Sequence, residues 1–286
     1  MAKSREQKLI DRLDKQGLNI REVEKAAILL KTTNHREYST KPHLFEGKEH
    51  YKLGVLGDTH AGNRWTDWAF LRDIMAHFKK EKVDMVIHTG DMTDGPWQRH
   101  KNVLEQYAHG FDAQVDDFVE NFPNIGMPIY MIDGNHDGWY KKGEGASVGR
   151  AIGERRDDIH YLGADEAVLK LGKLEIMLSH PDDGSAYAYS YKAQKQIESM
   201  AKMGEKMPDI ILQGHYHKLF QIQFAGVNYF CTGTTCRQTP WMRGKKIAAD
   251  MGAWLLNIDS NERGELAKIQ STILPYHGDT HNPAVK

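Results

Sequence analysis

A short apolar run that stops at Gly and then at metal-ligating or titratable residues recurs along the middle of this chain, and the pattern limits it to folds whose strand ends carry chemistry. The first instance is KLGVLGDTHAGN, Lys52 to Asn63. Lys52 to Leu56 reads as a buried strand that delivers Asp58 and His60 onto the loop past its C-terminal end, the edge where open α/β sheets bind ligands. An Asp and a His two residues apart can grip one metal ion with a carboxylate oxygen and an imidazole nitrogen. Alone the pair is unspecific, and its weight depends on partners elsewhere.

From Tyr51 onward strand and helix patterns alternate. Trp65 to Lys80 has helical spacing, Val83 to His88 is an apolar run ending at Thr89-Gly90-Asp91, Val103 to Phe122 is helical, and Pro128 to Ile132 is a strand followed by Gly134-Asn135-His136-Asp137. Ala167 to Leu171 and Leu174 to Leu178 predict a hairpin ending at Ser179-His180, Ala186 to Met203 predicts a helix, and Ile210 to Leu212 leads into Gly214-His215-Tyr216-His217. A hairpin about Ala225-Gly226 joins Leu219–Phe224 to Val227–Cys231, and Ala253 to Ile258 and Leu266 to Leu274 complete the strands. A single buried His is usually a satisfied core residue, and an Asp or Asn beside Gly is usually a turn. Five polar clusters, each after an apolar strand, are harder to dismiss as turns.

At 286 residues and 40% hydrophobic the chain can bury a sizeable core, in one large α/β domain or two smaller ones. The organisation we read is a helical hairpin and connector over residues 1–50, the main domain over 51–275 and a loose tail over 276–286, whose His277 and His281 are solvated. Ser4 with Gln7, and Asn19 with Glu22, mark two helix starts around Gly17, and His35 to His50 is a polar connector. Residues 1–50 carry 11 Lys/Arg against 8 Asp/Glu. They read either as a nucleic-acid contact or as an amphipathic hairpin docked on the main domain or on a second subunit. No apolar run approaches the roughly 20 residues of a membrane span, and the opening MAKSREQKL lacks a signal-peptide core. Cys231 and Cys236 give no disulfide framework, so a cytoplasmic, reduced protein with no membrane partner is expected. The net charge of −1 leaves any attraction for anions to local patches, and the oligomeric state is not indicated.

The series of clusters resembles the calcineurin-like metallophosphoesterases. Their motifs D-x-H, G-D-x-x-D, G-N-H-[DE], H and G-H-x-H appear in order as Gly57-Asp58-Thr59-His60, Gly90-Asp91-Met92-Thr93-Asp94, Gly134-Asn135-His136-Asp137, Ser179-His180 and Gly214-His215-Tyr216-His217. The resemblance spans roughly Tyr51 to Asp259. It implies an αββα sandwich, two mixed sheets flanked by helices, with a dinuclear metal site at one end of the sheets. By resemblance Asp58, His60 and His217 hold one ion, Asn135, His180 and His215 hold the other, and Asp91 bridges them. It further implies a hydrolase that cleaves a phosphodiester by in-line attack of a metal-bridging hydroxide, with His136 protonating the leaving oxygen and Asp94 orienting it. With N and O ligands only, the site suits Mn²⁺, Fe or Zn²⁺, and Mn²⁺ is preferred.

Protein phosphatases of this superfamily read G-D-x-x-D-R-G, whereas here Asp94 is followed by Gly95-Pro96. A phosphoprotein substrate is therefore less expected, and Arg64, Arg99 or His100 are the candidates to replace the missing phosphate-gripping Arg. Arg237 to Lys246 holds four Lys/Arg, no acid, and Trp241. That mixture suits a nucleic-acid strand, and equally an ordinary basic loop. Arg64, Arg237, Trp241 and Arg243 are the candidate substrate contacts. A nuclease-like phosphodiesterase is the first functional reading. A phosphodiesterase or phosphomonoesterase for a small substrate such as a cyclic nucleotide is the second, and a non-catalytic scaffold is a third, disfavoured because every ligand position is filled.

Overall fold

In a computed structural model of the chain, which describes residues 43–96, 103–184, 188–278 and 284, the alternating segments form two six-stranded mixed sheets. The expected N-terminal hairpin, Arg99, His100 and His281 lie outside the described residues. In one sheet β2 (His50–Leu56), β3 (Met85–His88), β4 (Ile129–Asp133) and β5 (Ile159–Ala164) run parallel, and β11 (Gly252–Ser260) and β12 (Leu266–Pro275) extend it antiparallel beyond β2. The other sheet runs β1 (His43–Phe45), β6 (Glu166–Leu171), β7 (Leu174–Ser179), β8 (Ile210–Gln213), β10 (Val227–Thr232), β9 (Leu219–Phe224), with β7, β8 and β10 parallel.

The period of two along β2 explains the layering. Leu53 and Val55 point into a core shared with Leu178 and Leu212 of the other sheet and Trp254 of β11. Leu56 points to the opposite face, where Leu71, Met75 and Phe78 of helix α1 (Trp68–Glu81) cover the sheet. Gly54 also faces that helix, and a Cβ there would lie 2.6 Å from the Phe78 ring. Helices α2 (Phe111–Asn121), α3 (Asn135–Glu144) and α4 (Val148–Arg155) belong to the same sheet's side, while α5 (Tyr189–Met203) lays Ala193, Ile197 and Met200 on Met177, Ile211 and Tyr229 of the second sheet. The result is the helix–sheet–sheet–helix sandwich that was expected. No helix among the described residues is long and apolar enough to cross a membrane.

Three segments differ from the expectation. Val103 to Phe122 is not one helix: a 3₁₀ turn, Val103–Glu105, is followed by Gly110 at φ 89° and only then by α2. The break lets the Tyr107 and Ala108 amides donate to the Gly62 carbonyl and the Gln106 side chain reach Asp94. Within the segment read as a connector, His43–Phe45 pairs in parallel with β6 as an edge strand. In the segment read as a loose tail, Tyr276 donates its amide to the Met251 carbonyl and sets its ring 4.8 Å from Phe70.

β2, β3 and β4 are parallel in one sheet and β7 and β8 in the other, and hydrogen bonds of His180 to Thr89 and of His215 to Asp58 across the sheets bring the C-terminal ends of all five to the same end of the sandwich. Those ends carry the five polar clusters.

Candidate metal centre

Nine described residues other than Gly have positive φ, and five of them are Asp58, His60, Asp91, His215 and His217, at 52° to 79°. The left-handed region costs a non-Gly residue on the order of 1 kcal/mol or more, so the surroundings must over-determine it. They do so through the backbone. The Asp58 amide donates to the Gly90 carbonyl, and the Thr59 and His60 amides both donate to the Asp91 carbonyl. Asp58 Oδ1 accepts the His215 amide at 2.9 Å, and Asp91 Oδ1 accepts the His136 amide at 2.8 Å. Buried Asp137, in the first turn of α3, accepts the amides of Met92, Thr93 and Gly134 and the Thr93 hydroxyl, fastening the Asp91 loop to the start of that helix. A side chain on Gly134 would collide with Asp91, so the two loops meet only with Gly there.

The seven expected ligands converge into two groups. In the first, His217 Nε2 lies 3.0 Å from His60 Nε2 and 3.4 Å from Asp58 Oδ1. In the second, Asn135 Oδ1 lies 2.8 Å from His215 Nδ1 and 3.1 Å from His180 Nε2. Asp91 Oδ2 sits between the groups, 3.1 Å from His180 Nε2 and 3.9 Å from His60 Nε2. Donors held about 2.0–2.2 Å from one cation stand roughly 3–3.5 Å from one another, close to the spacing within each group, while Asp91 Oδ2 stands farther from His60 Nε2 than from His180 Nε2.

The tautomers sharpen this. His180 Nδ1–H donates to the Thr89 carbonyl at 2.7 Å and His215 Nε2–H to the Asp183 carbonyl at 2.6 Å. The nitrogens that remain, His180 Nε2 and His215 Nδ1, then face Asn135 Oδ1 as acceptor against acceptor. With the Asn135 amide turned this way, a proton or a cation between them makes that arrangement favourable. Without cations, His60 and His180 carry protons, while burial pushes His215 down. Burial pulls both His60 and His180 down, but the Asp94 and Asp91 carboxylates push His60 up to about 9, and Asp91, in charge and hydrogen bond, pushes His180 up to about 10. Burial pulls Asp58 and Asp91 upward, and the histidines outweigh it and hold both below the usual carboxylate range. His88, beneath the site, goes the other way. Burial pushes it down to about 3, and as a neutral ring it accepts the Gly90 amide and donates to the Thr59 hydroxyl.

His136 stands at the rim. Its Nδ1–H donates to the backbone carbonyl of Asp94 at 2.9 Å, its ring packs on Trp139 with centroids 4.2 Å apart, and its Nε2 lies 3.9 Å from Asp91 Oδ2. The sequence reading set the Asp94 carboxylate behind His136; the structure sets the carbonyl there. The carboxylate turns instead toward His60 Nδ1 at 3.4 Å and accepts from Asn63 and Gln106.

The family model of the calcineurin-like phosphoesterase superfamily domain matches residues 51–249. The chain belongs to that superfamily. It is a metal-dependent phosphoesterase, a hydrolase acting on ester bonds. No functionally curated protein matches the sequence. Among solved structures, an archaeal phosphodiesterase is 17% identical with a TM-score of 0.46, covering 78% of this chain and 99% of its own. A zinc complex of Vps29 from Entamoeba histolytica is 14% identical with a TM-score of 0.42, covering 78% of this chain and 98% of its own. A 5'-nucleotidase precursor from Thermus thermophilus is 12% identical with a TM-score of 0.38, covering 79% of this chain and 54% of its own.

The phosphoesterase's donor clusters open into a cavity of about 460 Å³. Trp241, exposed at 42%, lines it, as do Trp139, Tyr189 and Tyr216. The other candidate substrate contacts do not. Arg237 makes two hydrogen bonds to Asp67, the N-cap of α1, and Arg64 Nε donates to the Leu104 carbonyl. Arg243 is exposed on the short helix α6 (Pro240–Gly244). Sequence reasoning missed Lys245 and buried Glu105, which line the cavity, and the Glu105 carboxylate accepts the Trp241 amide 136 residues away. Only the basic run containing Lys245 signalled any of this. Cys231 and Cys236 are free and buried.

Proposed function

We propose that this phosphoesterase holds two divalent cations and hydrolyses a phosphodiester by in-line displacement. The observation that carries the reading is Asp91 Oδ2, placed between a donor group made by Asp58, His60 and His217 and another made by Asn135, His180 and His215. Cations bound there would supply the charge that activates water and neutralises the phosphoryl oxygens. N and O donors accept Mn²⁺, Fe or Zn²⁺, and Mn²⁺ is our assignment. His136 acts on the leaving group: with Nδ1–H pinned to the Asp94 carbonyl, its Nε2 is the atom that carries a proton to the departing oxygen. Asp94 acts through both carbonyl and carboxylate, orienting His136 with one and facing His60 with the other.

The walls of the cavity favour a base-containing diester: Trp139, Tyr189, Tyr216 and Trp241 line it and suit stacking on a base. A nucleic-acid strand remains the first reading of the substrate, acting in the cytoplasm where Cys231 and Cys236 stay reduced. A small nucleotide diester is the second, and it gains from Arg64 and Arg237 being engaged away from the cavity.

Turnover with Mn²⁺ of bis-p-nitrophenyl phosphate, p-nitrophenyl phosphate, a cyclic nucleotide and labelled single-stranded DNA and RNA tests this. The diester should be cleaved faster than the monoester; the reverse order would overturn the diesterase assignment. Intact polynucleotide beside cleaved small diesters would reject the nuclease half alone.

A further inference from the structure

We propose that Asp183 is a positioning residue for the second cation group, and that Tyr216, the variable residue of the G-H-x-H motif, holds Asp183 in place. This rests on the two-cation reading above. His215 can offer Nδ1 to a cation only while its proton sits on Nε2, and the Asp183 carbonyl, 2.6 Å away, is the acceptor that keeps it there. Loop residues 181–184 are mostly exposed, and a carbonyl on such a loop fixes a ring only if the loop itself is tied down. Two bonds from the Asp183 carboxylate tie it: Oδ1 accepts the Tyr216 hydroxyl at 2.7 Å, and Oδ2 pairs with Lys192 of α5.

Tyr216 is suited to the task. It is buried, its ring meets His215 edge-on with centroids 5.2 Å apart, and burial and the bond to Asp183 push its hydroxyl above the usual range, so it stays a neutral donor. His215 and Tyr216 are consecutive, and both bond to Asp183, one to its carbonyl and the other to its carboxylate. The other ring of the group needs no such device. His180 donates to the carbonyl of Thr89, a buried residue just past β3. His215 is thus the member whose orientation depends on a surface loop, and the Tyr216–Asp183–Lys192 brace supplies what the sheet supplies to His180.

The test is Mn²⁺ binding to the full chain by calorimetry, with Tyr216→Phe and Asp183→Ala beside His215→Ala and His217→Ala as markers of the two groups. Wild type should bind two ions. Tyr216→Phe and Asp183→Ala should weaken one ion by about 10–100-fold, as loss of an outer partner does, and it should be the ion His215→Ala weakens, with the other unchanged. Tyr216→Phe removes one oxygen from a packed ring, so it remains informative if Asp183→Ala does not fold. Two ions bound at wild-type affinity by Tyr216→Phe, or weakening of the ion marked by His217→Ala, would overturn the brace while leaving the two-cation reading intact. A wild type that binds fewer than two ions would overturn both.

Discussion

Removing divalent cations with a chelator should make the protein lose stability as the pH rises through a range where most proteins are indifferent. In the cation-free cage, His60 is held up to about 9 and His180 up to about 10, against 6.5 for an ordinary histidine. A group whose pKa is raised on folding stabilises fully below its unfolded pKa, and that contribution is lost as pH climbs toward the folded value. Each such histidine therefore costs roughly 1.4 kcal/mol per pH unit above 6.5. Other groups fix the cleanest window. Burial raises Asp133 to about 7, so it costs stability as pH rises from the ordinary carboxylate range to 7 and adds no slope above that; the buried thiols of Cys231 and Cys236 are pushed up and matter above the ordinary thiol range near 8.5. Between pH 7 and 8.5 one or two histidines amount to roughly 2–4 kcal/mol, a melting-temperature drop of about 5–15 °C for a chain of this size. Differential scanning fluorimetry in chelator measures it. Saturating Mn²⁺ should flatten or invert the slope, because ligation requires neutral imidazoles and binding releases their protons. A cation-free melting temperature that is flat or rises over this window would refute the reasoning.

Replacing Gly134 by Ala forces a methyl onto Asp91's Oδ1 and backbone nitrogen, which no rotamer change relieves, and should cost about 1–3 kcal/mol in chelator with weakened Mn²⁺ binding; thermal melts and calorimetry read both. Arg237→Ala should act on stability, leaving a buried Asp67 carboxylate unpaired at a cost of roughly 3–5 kcal/mol, while KM for a small diester stays unchanged; a raised KM without destabilisation would restore Arg237 as a substrate contact. Trp241→Ala should raise KM for a base-containing diester by roughly 5–100-fold, the range expected of one lost stacking contact, with little change for an aliphatic one. His136→Ala should keep both ions by calorimetry and lose about 10²–10⁴-fold in turnover on an alkoxide leaving group, with a much smaller loss on p-nitrophenolate, which departs without a proton.

The seven donors were legible in the sequence because each sits within a few residues of an apolar run, so strand periodicity and the residue after Gly suffice to place it. Asp183, Glu105 and the partner of Arg237 were not, because their roles exist only once segments far apart in the chain have met: Asp67 with Arg237, Glu105 with Trp241. The direction of Asp94 was misread for a related reason. Sequence places the residue, but whether carbonyl or carboxylate faces His136 depends on how Asn63 and Gln106 draw the carboxylate away. Helix α4 and strand β5 left no clear periodic trace. Gly149 and Gly153 weaken the helical signal of α4, yet Gly149 is what lets that helix settle on the Tyr161 ring of β5, where a Cβ would collide. At three residues, His43–Phe45 is too short to show any period.

The central claim is that one carboxylate, Asp91, joins two cation sites. Anomalous diffraction from crystals soaked in Mn²⁺ measures this directly. Our account predicts two peaks about 3.5–4 Å apart, the spacing of two-metal sites, with Asp91 Oδ2 in contact with both, His60 on one, His180 on the other and His136 on neither. A single peak, or a second ion held by His136, would contradict it.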